Sequence, residues 1–320
     1  MSKRIFIIIA VFLFFGFVGL GVAWAFYSAI DDELVYQALP DLTTDLGSTV
    51  SSYLLTKPAD RLPLSAGAYV VSDLETKEII IGANDEKVLP IASVTKLVTA
   101  LVAKELLAPT ATIIISQKAY NTYGNTGGFR VGEKIALSDA YYPLLLSSSN
   151  DIAEALAETA GREKFITRMN KLVEELGMTD THFDDPSGLS PDNVSSSDDL
   201  VKLIAYIYKN HQGLLTITRE KQYRLGRHTW RNLNNVSLMK YYVGGKNGYT
   251  EEANRTLVSL FEVPITVAST TNEVNQKKTR LLAVVLLQSS DRKNDTKKIV
   301  DYLSRYAFFN GGKNGFEPIN

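Results

Sequence analysis

The chain has no cysteine among its 320 residues, which excludes disulfide staples, thiol nucleophiles and cysteine-ligated metals. An extracytoplasmic location stays open, because a chain of this length builds a core that needs no disulfide. Neither sign of charge dominates: 34 Lys and Arg face 35 Asp and Glu, a formal net charge of −1. The sequence shows no basic stripe, so nothing in it points to a nucleic-acid partner. The three histidines, His182, His211 and His228, lack metal-ligand spacing, and each reads as structural or exposed. No Gly-rich phosphate loop, Gly-x-Ser-x-Gly elbow, internal repeat or low-complexity tract is present. The sequence itself therefore carries no metal-site or phosphate-loop signature.

There is one long hydrophobic run. Lys3 and Arg4 precede an uncharged stretch from Ile5 to Ile30, and Asp31, Asp32 and Glu33 follow at once. A bilayer core needs about 20 apolar residues in a helix, so this run is long enough to span one. The positive-inside rule sets the N-terminus in the cytoplasm and the remainder outside. Ala23-Trp24-Ala25 has the small residues of a cleavage site, so a cleaved signal peptide is the alternative. We read residues 1–30 as a transmembrane anchor or signal peptide, 31–65 as a linker or stalk, 66–310 as the catalytic domain and 311–320 as a tail.

Along the domain, residues 67–73 read as a strand with a hairpin partner over 78–82. An apolar helix follows, then a polar region over 121–132. Helices are expected over 137–146, 152–160, 163–176 and 198–208, the last opened by Ser195-Ser196-Ser197. The last third reads as β-rich: a short strand from Val243 running into a turn, strands over 255–261 and 280–287, and a polar tip over 270–278. A closing helix over 295–307 completes an α+β domain, an antiparallel sheet flanked by helices with a helical insertion.

Candidate chemistry begins at Ser93-Val94-Thr95-Lys96. On a helix, positions i and i+3 share a face, so the Lys96 amine reaches the Ser93 hydroxyl. A serine is a poor nucleophile until a base takes its proton, and a lysine serves only when burial or positive neighbours depress its pKa. The same spacing recurs at Ser237/Lys240 and Ser290/Lys293, but only Ser93 opens a long apolar helix. Farther on stand Ser148-Ser149-Asn150 and Lys246-Asn247-Gly248. Each has a plain structural reading. Ser148 and Asn150 suit a helix cap, and Asn-Gly is a strong hairpin-turn signal.

In this order the three elements resemble the S-x-x-K, S-x-N and K-T-G set of penicillin-binding proteins. The chain is similar to the D-alanyl-D-alanine carboxypeptidases over roughly residues 66–306, with matching flanks at Ile91-Ala92, Asn150-Asp151 and Pro186-Ser187-Gly188-Leu189. The resemblance implies a β-lactamase/transpeptidase-like fold and a serine peptidase acting on peptidoglycan stem peptides that end in D-Ala-D-Ala. β-Lactams would be covalent inhibitors. It implies that Ser93 forms the acyl-enzyme and Lys96 takes its proton. Ser148 would relay a proton to the leaving amine, and Asn150 would orient Lys96 and the substrate. Lys246, Asn247, Gly248 and Tyr249 would bind substrate, with the N–H groups of Ser93 and Tyr249 as oxyanion hole. Asn247 departs from the usual threonine, whose hydroxyl donates to the substrate carboxylate, and Asn254 stands where glycine is usual. Too little sequence follows the closing helix for the further β-domain of many members. A D,D-endopeptidase or a weakened wall-binding protein are the alternatives. A β-lactamase ranks low, since the loop at Asp184 and Asp185 has no Glu-x-x-x-Asn arrangement.

Overall fold

Strand formation in the last third follows from uninterrupted apolar sequence. Leu281 to Leu287 carries no polar residue, and a strand buried on both faces has no solvent side to mark with polar residues. In the computed structural model, which describes residues 51–124, 126–267 and 276–310, this run is the centre of the main sheet. Leu281, Ala283, Val285 and Leu287 face one core, while Leu282, Val284 and Leu286 face another.

The main sheet has seven strands. We label them β1 (Tyr53–Leu55), β2 (Ala68–Asp73), β3 (Ile79–Ala83), β4 (Tyr242–Thr250), β5 (Asn254–Val267), β6 (Lys277–Ser289) and β7 (Ala307–Phe309). The path runs β1-β7-β5-β6-β2-β3, with β4 paired to the N-terminal half of β5. All pairings are antiparallel except β5 with β7, which is parallel over Thr266–Val267.

Among the described residues eight α-helices accompany these strands: α1 (Lys96–Leu106), α2 (Gln117–Tyr120), α3 (Leu137–Leu145), α4 (Asn150–Ala160), α5 (Arg162–Glu175), α6 (Ser197–Asn210), α7 (Gln212–Arg219) and α8 (Arg292–Tyr306). Helices α1 to α7 lie between β3 and β4 in sequence and form the expected insertion. Helix α1 is buried on every side over its first eight residues, so it is apolar all round apart from Lys96, Thr99 and its last turn. Helix α6 lies across β2, β5 and β6. Helix α8 covers the opposite face through Ile299, Val300, Tyr302 and Leu303.

Three expectations need correction. The end of the presumed stalk, 51–65, belongs to the same compact unit as the main sheet. Strand β1 pairs with β7, and Ser65 donates to Asp295 on α8 through its N–H at 3.0 Å and its hydroxyl at 2.7 Å. A three-residue strand whose partner lies about 250 positions away carries no local periodicity to reveal it. Second, the strand expected to turn near Asn247-Gly248 continues to Thr250, and the turn falls over 251–253. Third, α7 and a hairpin of Gln222–Leu225 with His228–Arg231 occupy a stretch with no element assigned. The anchor over 1–30, residues 31–50, most of the tip over 270–278 and the tail over 311–320 lie outside the described residues. No described helix is long and apolar enough to cross a membrane.

One buried charge pair ties the sheet together. Arg280 on β6, 2% exposed, donates from Nε to Asp73 Oδ2 on β2 at 2.7 Å. The Tyr53 hydroxyl on β1 donates to the same carboxylate oxygen, and the Arg280 guanidinium lies 4.0 Å from the Phe309 ring centre on β7. Removing one member of a buried pair strands the other charge. Asp73→Ala is therefore expected to lower unfolding free energy by about 3 kcal/mol in urea titrations, and pairing it with Arg280→Met to restore part of the loss.

Candidate active site

Ser93 lies in a 3-10 turn, Ala92–Thr95, that runs directly into α1. Its hydroxyl does not cap the helix. It accepts from Lys96 Nζ at 2.9 Å. The turn is held in place from two sides. Thr256 on β5 donates to the Ile91 carbonyl at 2.9 Å, and Thr95 donates to the Ala92 carbonyl at 2.8 Å.

Lys96 is 0% exposed. Besides Ser93, its Nζ donates to Asn150 Oδ1 at 2.7 Å and to the Ser187 carbonyl at 2.5 Å. Burial brings its pKa from 10.5 down to about 7, while the negative charges of Asp185 and Asp151 pull it back up. That value lets the amine exist in both protonation states near neutrality. The partners dictate the geometry of the neutral form. Two of the three are carbonyl oxygens that only accept, so the two remaining N–H bonds stay on them. The lone pair then faces Ser93, whose hydroxyl becomes the donor.

The Ser148–Asn150 element sits at the start of α4. The helix cap is Ser149, whose Oγ accepts from Ile152 N at 3.3 Å. This middle serine leaves its neighbours available. Asn150 donates from Nδ2 to the carbonyls of Tyr123 at 2.8 Å and Gly124 at 3.4 Å, which fixes its amide so that the oxygen meets Lys96. Ser148 takes a positive φ of 59°, and its hydroxyl is buried with no hydrogen-bond partner among the described residues.

Lys246 and Asn247 lie within strand β4, not in a turn, opposite Val258 and Leu257. Lys246 is 1% exposed and donates to the Asn247 carbonyl at 2.7 Å, with Asn247 Oδ1 at 3.5 Å. Burial, then Lys96 and Arg292, hold its pKa well below the usual lysine value. An anion arriving here relieves all three effects. At Gly248 a Cβ would stand 2.5 Å from Thr256 Oγ1 and 2.8 Å from the Ser93 main-chain nitrogen, so glycine lets β4 touch the serine turn. Tyr249 is 59% exposed, with the Arg255 guanidinium 5.5 Å from its ring centre.

Two contributors had no assigned role in the sequence. Arg292, at the start of α8, donates to the Gly248 carbonyl at 2.9 Å and adds a cation beside Lys246; no local pattern marks it. Asp185 organises the loop that supplies the third Lys96 acceptor. Its carboxylate accepts from the N–H groups of Ser187 at 2.5 Å, Gly188 at 2.7 Å and Ser190 at 2.5 Å, and from the Ser187 hydroxyl at 2.7 Å. Burial pushes this carboxyl up, but the bonds from Ser187, Ser190 and Gly188 outweigh it and hold it below its usual value. Asn193 spans the loop, donating to Thr95 Oγ1 and to the Asp185 carbonyl. The signal was Asp-x-Ser-Gly, an aspartate placed to bond backbone N–H groups ahead of it.

A serine bonded to a buried lysine of near-neutral pKa, an amide fixing that lysine and a second buried lysine on a sheet edge define a serine acyl-transfer enzyme. Residues 55–288 match the family model described as D-alanyl-D-alanine carboxypeptidase. The chain belongs to this family of serine peptidases. It is 33% identical over 211 residues to a D-alanyl-D-alanine endopeptidase of Pseudomonas aeruginosa, covering 61% of this chain and 66% of that protein, just short of two thirds. It is 29% identical to a D-alanyl-D-alanine carboxypeptidase of Mycobacterium tuberculosis, covering 63% of this chain and 73% of that protein. Among solved structures, Listeria monocytogenes penicillin-binding protein D2 with bound cefotaxime has a TM-score of 0.65 at 25% identity, covering 77% of this chain and 99% of the other. The α+β fold is thus that of the penicillin-binding proteins.

Asp185 carries a signed prediction. Asp185→Asn removes a negative charge that favours protonated Lys96, so the acid limb of the acylation rate is expected to move to lower pH, whatever happens to the plateau. A limb left near pH 7 with only a lower plateau would show that Asp185 acts through loop packing alone.

Proposed function

We propose that the protein is a D-Ala-D-Ala carboxypeptidase that removes the terminal D-alanine from peptidoglycan stem peptides. The observation that carries this reading is the fully buried Lys96 bonded to Ser93, Asn150 and the Ser187 carbonyl. Neutral Lys96 takes the Ser93 proton as the oxygen attacks the penultimate D-alanine carbonyl. The tetrahedral oxyanion is met by the N–H groups of Ser93 and Tyr249. Ser148, whose hydroxyl has no hydrogen-bond partner among the described residues, passes a proton to the leaving amine. The departing carboxylate rests beside Lys246, Arg292 and the Asn247 side chain, whose Nδ2 donates in place of a hydroxyl. Water then cleaves the acyl-enzyme, so atoms balance as a hydrolysis. β-Lactams acylate the same serine; the relative solved with cefotaxime supports this reading.

A second reading, D,D-endopeptidase, has the Pseudomonas relative in its favour. The chemistry is unchanged, and the leaving amine then belongs to a cross-link. The apolar run over 5–30 acts as a single-pass anchor that holds the enzyme at the outer face of the cell membrane.

The test uses a fluorescent penicillin and a pentapeptide ending in D-Ala-D-Ala, with Ser93→Ala as control. Serine-dependent labelling with D-alanine release is expected; labelling with release only from cross-linked dimers selects the endopeptidase. A folded wild-type protein that is neither labelled nor active leaves the wall-binding alternative. Labelling is expected to fall as pH drops below about 7, where Lys96 becomes protonated. Asn247→Thr, which restores a short hydroxyl donor to the leaving carboxylate, is expected to lower KM by about tenfold, the worth of about 1.4 kcal/mol.

A further inference from the structure

The sequence shows no basic stripe, yet folding makes one. In the hairpin of Gln222–Leu225 with His228–Arg231, Gln222 pairs with Arg231, Tyr223 with Trp230, Arg224 with Thr229 and Leu225 with His228. The alternation divides it into two faces. Tyr223, Trp230 and His228 turn inward and stack, with Tyr142 of α3 closing the column at 3.6 Å from Tyr223. Gln222, Arg224, Thr229 and Arg231 are exposed, as are Lys221 before the hairpin and Arg227 at its turn. Arg130 is exposed on the neighbouring segment. The nearby acids are Glu220, Asp139 and Glu133; Asp139 accepts from the Tyr223 hydroxyl at 2.7 Å, and Glu133 is taken up by Arg227 and His228. Among the described residues, Lys221, Arg224, Arg231 and Arg130 form no ion pair. Arg224 and Arg231 are diagonal neighbours across the hairpin, about 7–8 Å apart at the backbone.

The hairpin that carries this face packs its inner side against the segments that form the active site. Trp230 donates to the Gly127 carbonyl at 2.8 Å, and Leu233 N donates to the Leu146 carbonyl at 3.0 Å, two residues before Ser148. The segment holding Gly127 also donates from Thr126 to the Ser147 carbonyl and supplies the Tyr123 carbonyl to Asn150. Both therefore rest on the Ser147–Asn150 turn.

We propose that the outward face of this hairpin, with Lys221, Arg224 and Arg231 at its centre, is an exosite for the acidic peptide strands of polymeric peptidoglycan. The inference rests on the peptidoglycan reading of the site. Guanidinium forks match carboxylates in pairs, and a wall of one sign beside a cleft raises the local concentration of an oppositely charged polymer. The exosite holds the polymer through carboxylates away from the bond that is cut, so a free pentapeptide gains little from it.

The full chain and its Lys221→Gln/Arg224→Gln/Arg231→Gln variant would be compared on peptidoglycan freed of attached phosphate polymers, by co-sedimentation, and on a soluble pentapeptide, by D-alanine release. The wild type is expected to bind the polymer less as salt rises. The variant is expected to bind about tenfold more weakly at low salt, with a flat salt response and pentapeptide kcat/KM within about twofold. Amidating the polymer's carboxylates is expected to reproduce the weak binding with wild-type protein. Equal binding by both proteins, or binding only when phosphate polymers are left attached, overturns the proposal. Loss of pentapeptide turnover together with polymer binding assigns the hairpin a structural role and overturns it as well. An inactive wild type that still binds in a salt- and carboxylate-dependent way defeats the catalytic reading and not the exosite.

Discussion

A lysine shut away from water is the constraint on which the rest of this molecule depends. Desolvation alone brings the Lys96 ammonium toward neutrality, but a buried amine with unfilled donors is costly. The fold answers with three acceptors from separate parts of the chain: Ser93 from the turn before α1, Asn150 from the start of α4 and the Ser187 carbonyl from the Asp185 loop. Each acceptor needs its own support. The serine turn leans on Thr256, Asn150 is held by the Tyr123 and Gly124 carbonyls, and the loop is gathered around one carboxylate. The helical insertion and the sheet are both recruited to hold one amine.

The electrostatics are balanced rather than maximised. Lys96, Lys246 and Arg292 form a cluster of cations, two of them buried, in which Lys96 and Arg292 add to burial in depressing Lys246. Asp185 and Asp151 pull Lys96 the other way. The acids keep the amine a stronger base, and burial keeps it from staying protonated at neutral pH. Lys246 on β4 has no carboxylate partner among the described residues, which suits a site completed by an anionic substrate.

Ser93, Lys96 and Asn150 were legible in the sequence because their types and order are chemically demanding, and the structure joins them by direct hydrogen bonds. Strands β2, β3 and β6 were legible because their apolar runs leave little choice. What stayed hidden depends on long-range geometry. Whether Ser148, Ser149 or Asn150 caps α4 is a matter of one residue, and only the backbone decides for Ser149. Asn247-Gly248 carries a turn signature, but pairing with Leu257 and Thr256 overrides it. Strand β1 is too short to show a period, and Arg292 owes its place to the docking of α8. The basic hairpin face emerges only when alternation sends the rings inward and the arginines outward.

The short pairing of β1 with β7 bears on mechanics. In the described chain the first strand is Tyr53–Leu55, and a pull on its N-terminal side acts on residues matched to Ala307–Phe309 at the end of α8. Behind them Tyr53 grips Asp73 and, through it, Arg280 at the middle of the sheet. A pull on the N-terminal end is thus shared among β2, β6 and β7 before it reaches the insertion. The serine turn follows β3 in sequence and takes no part in these contacts. The bonds that would take up such a pull are thus different from those that hold the reacting atoms.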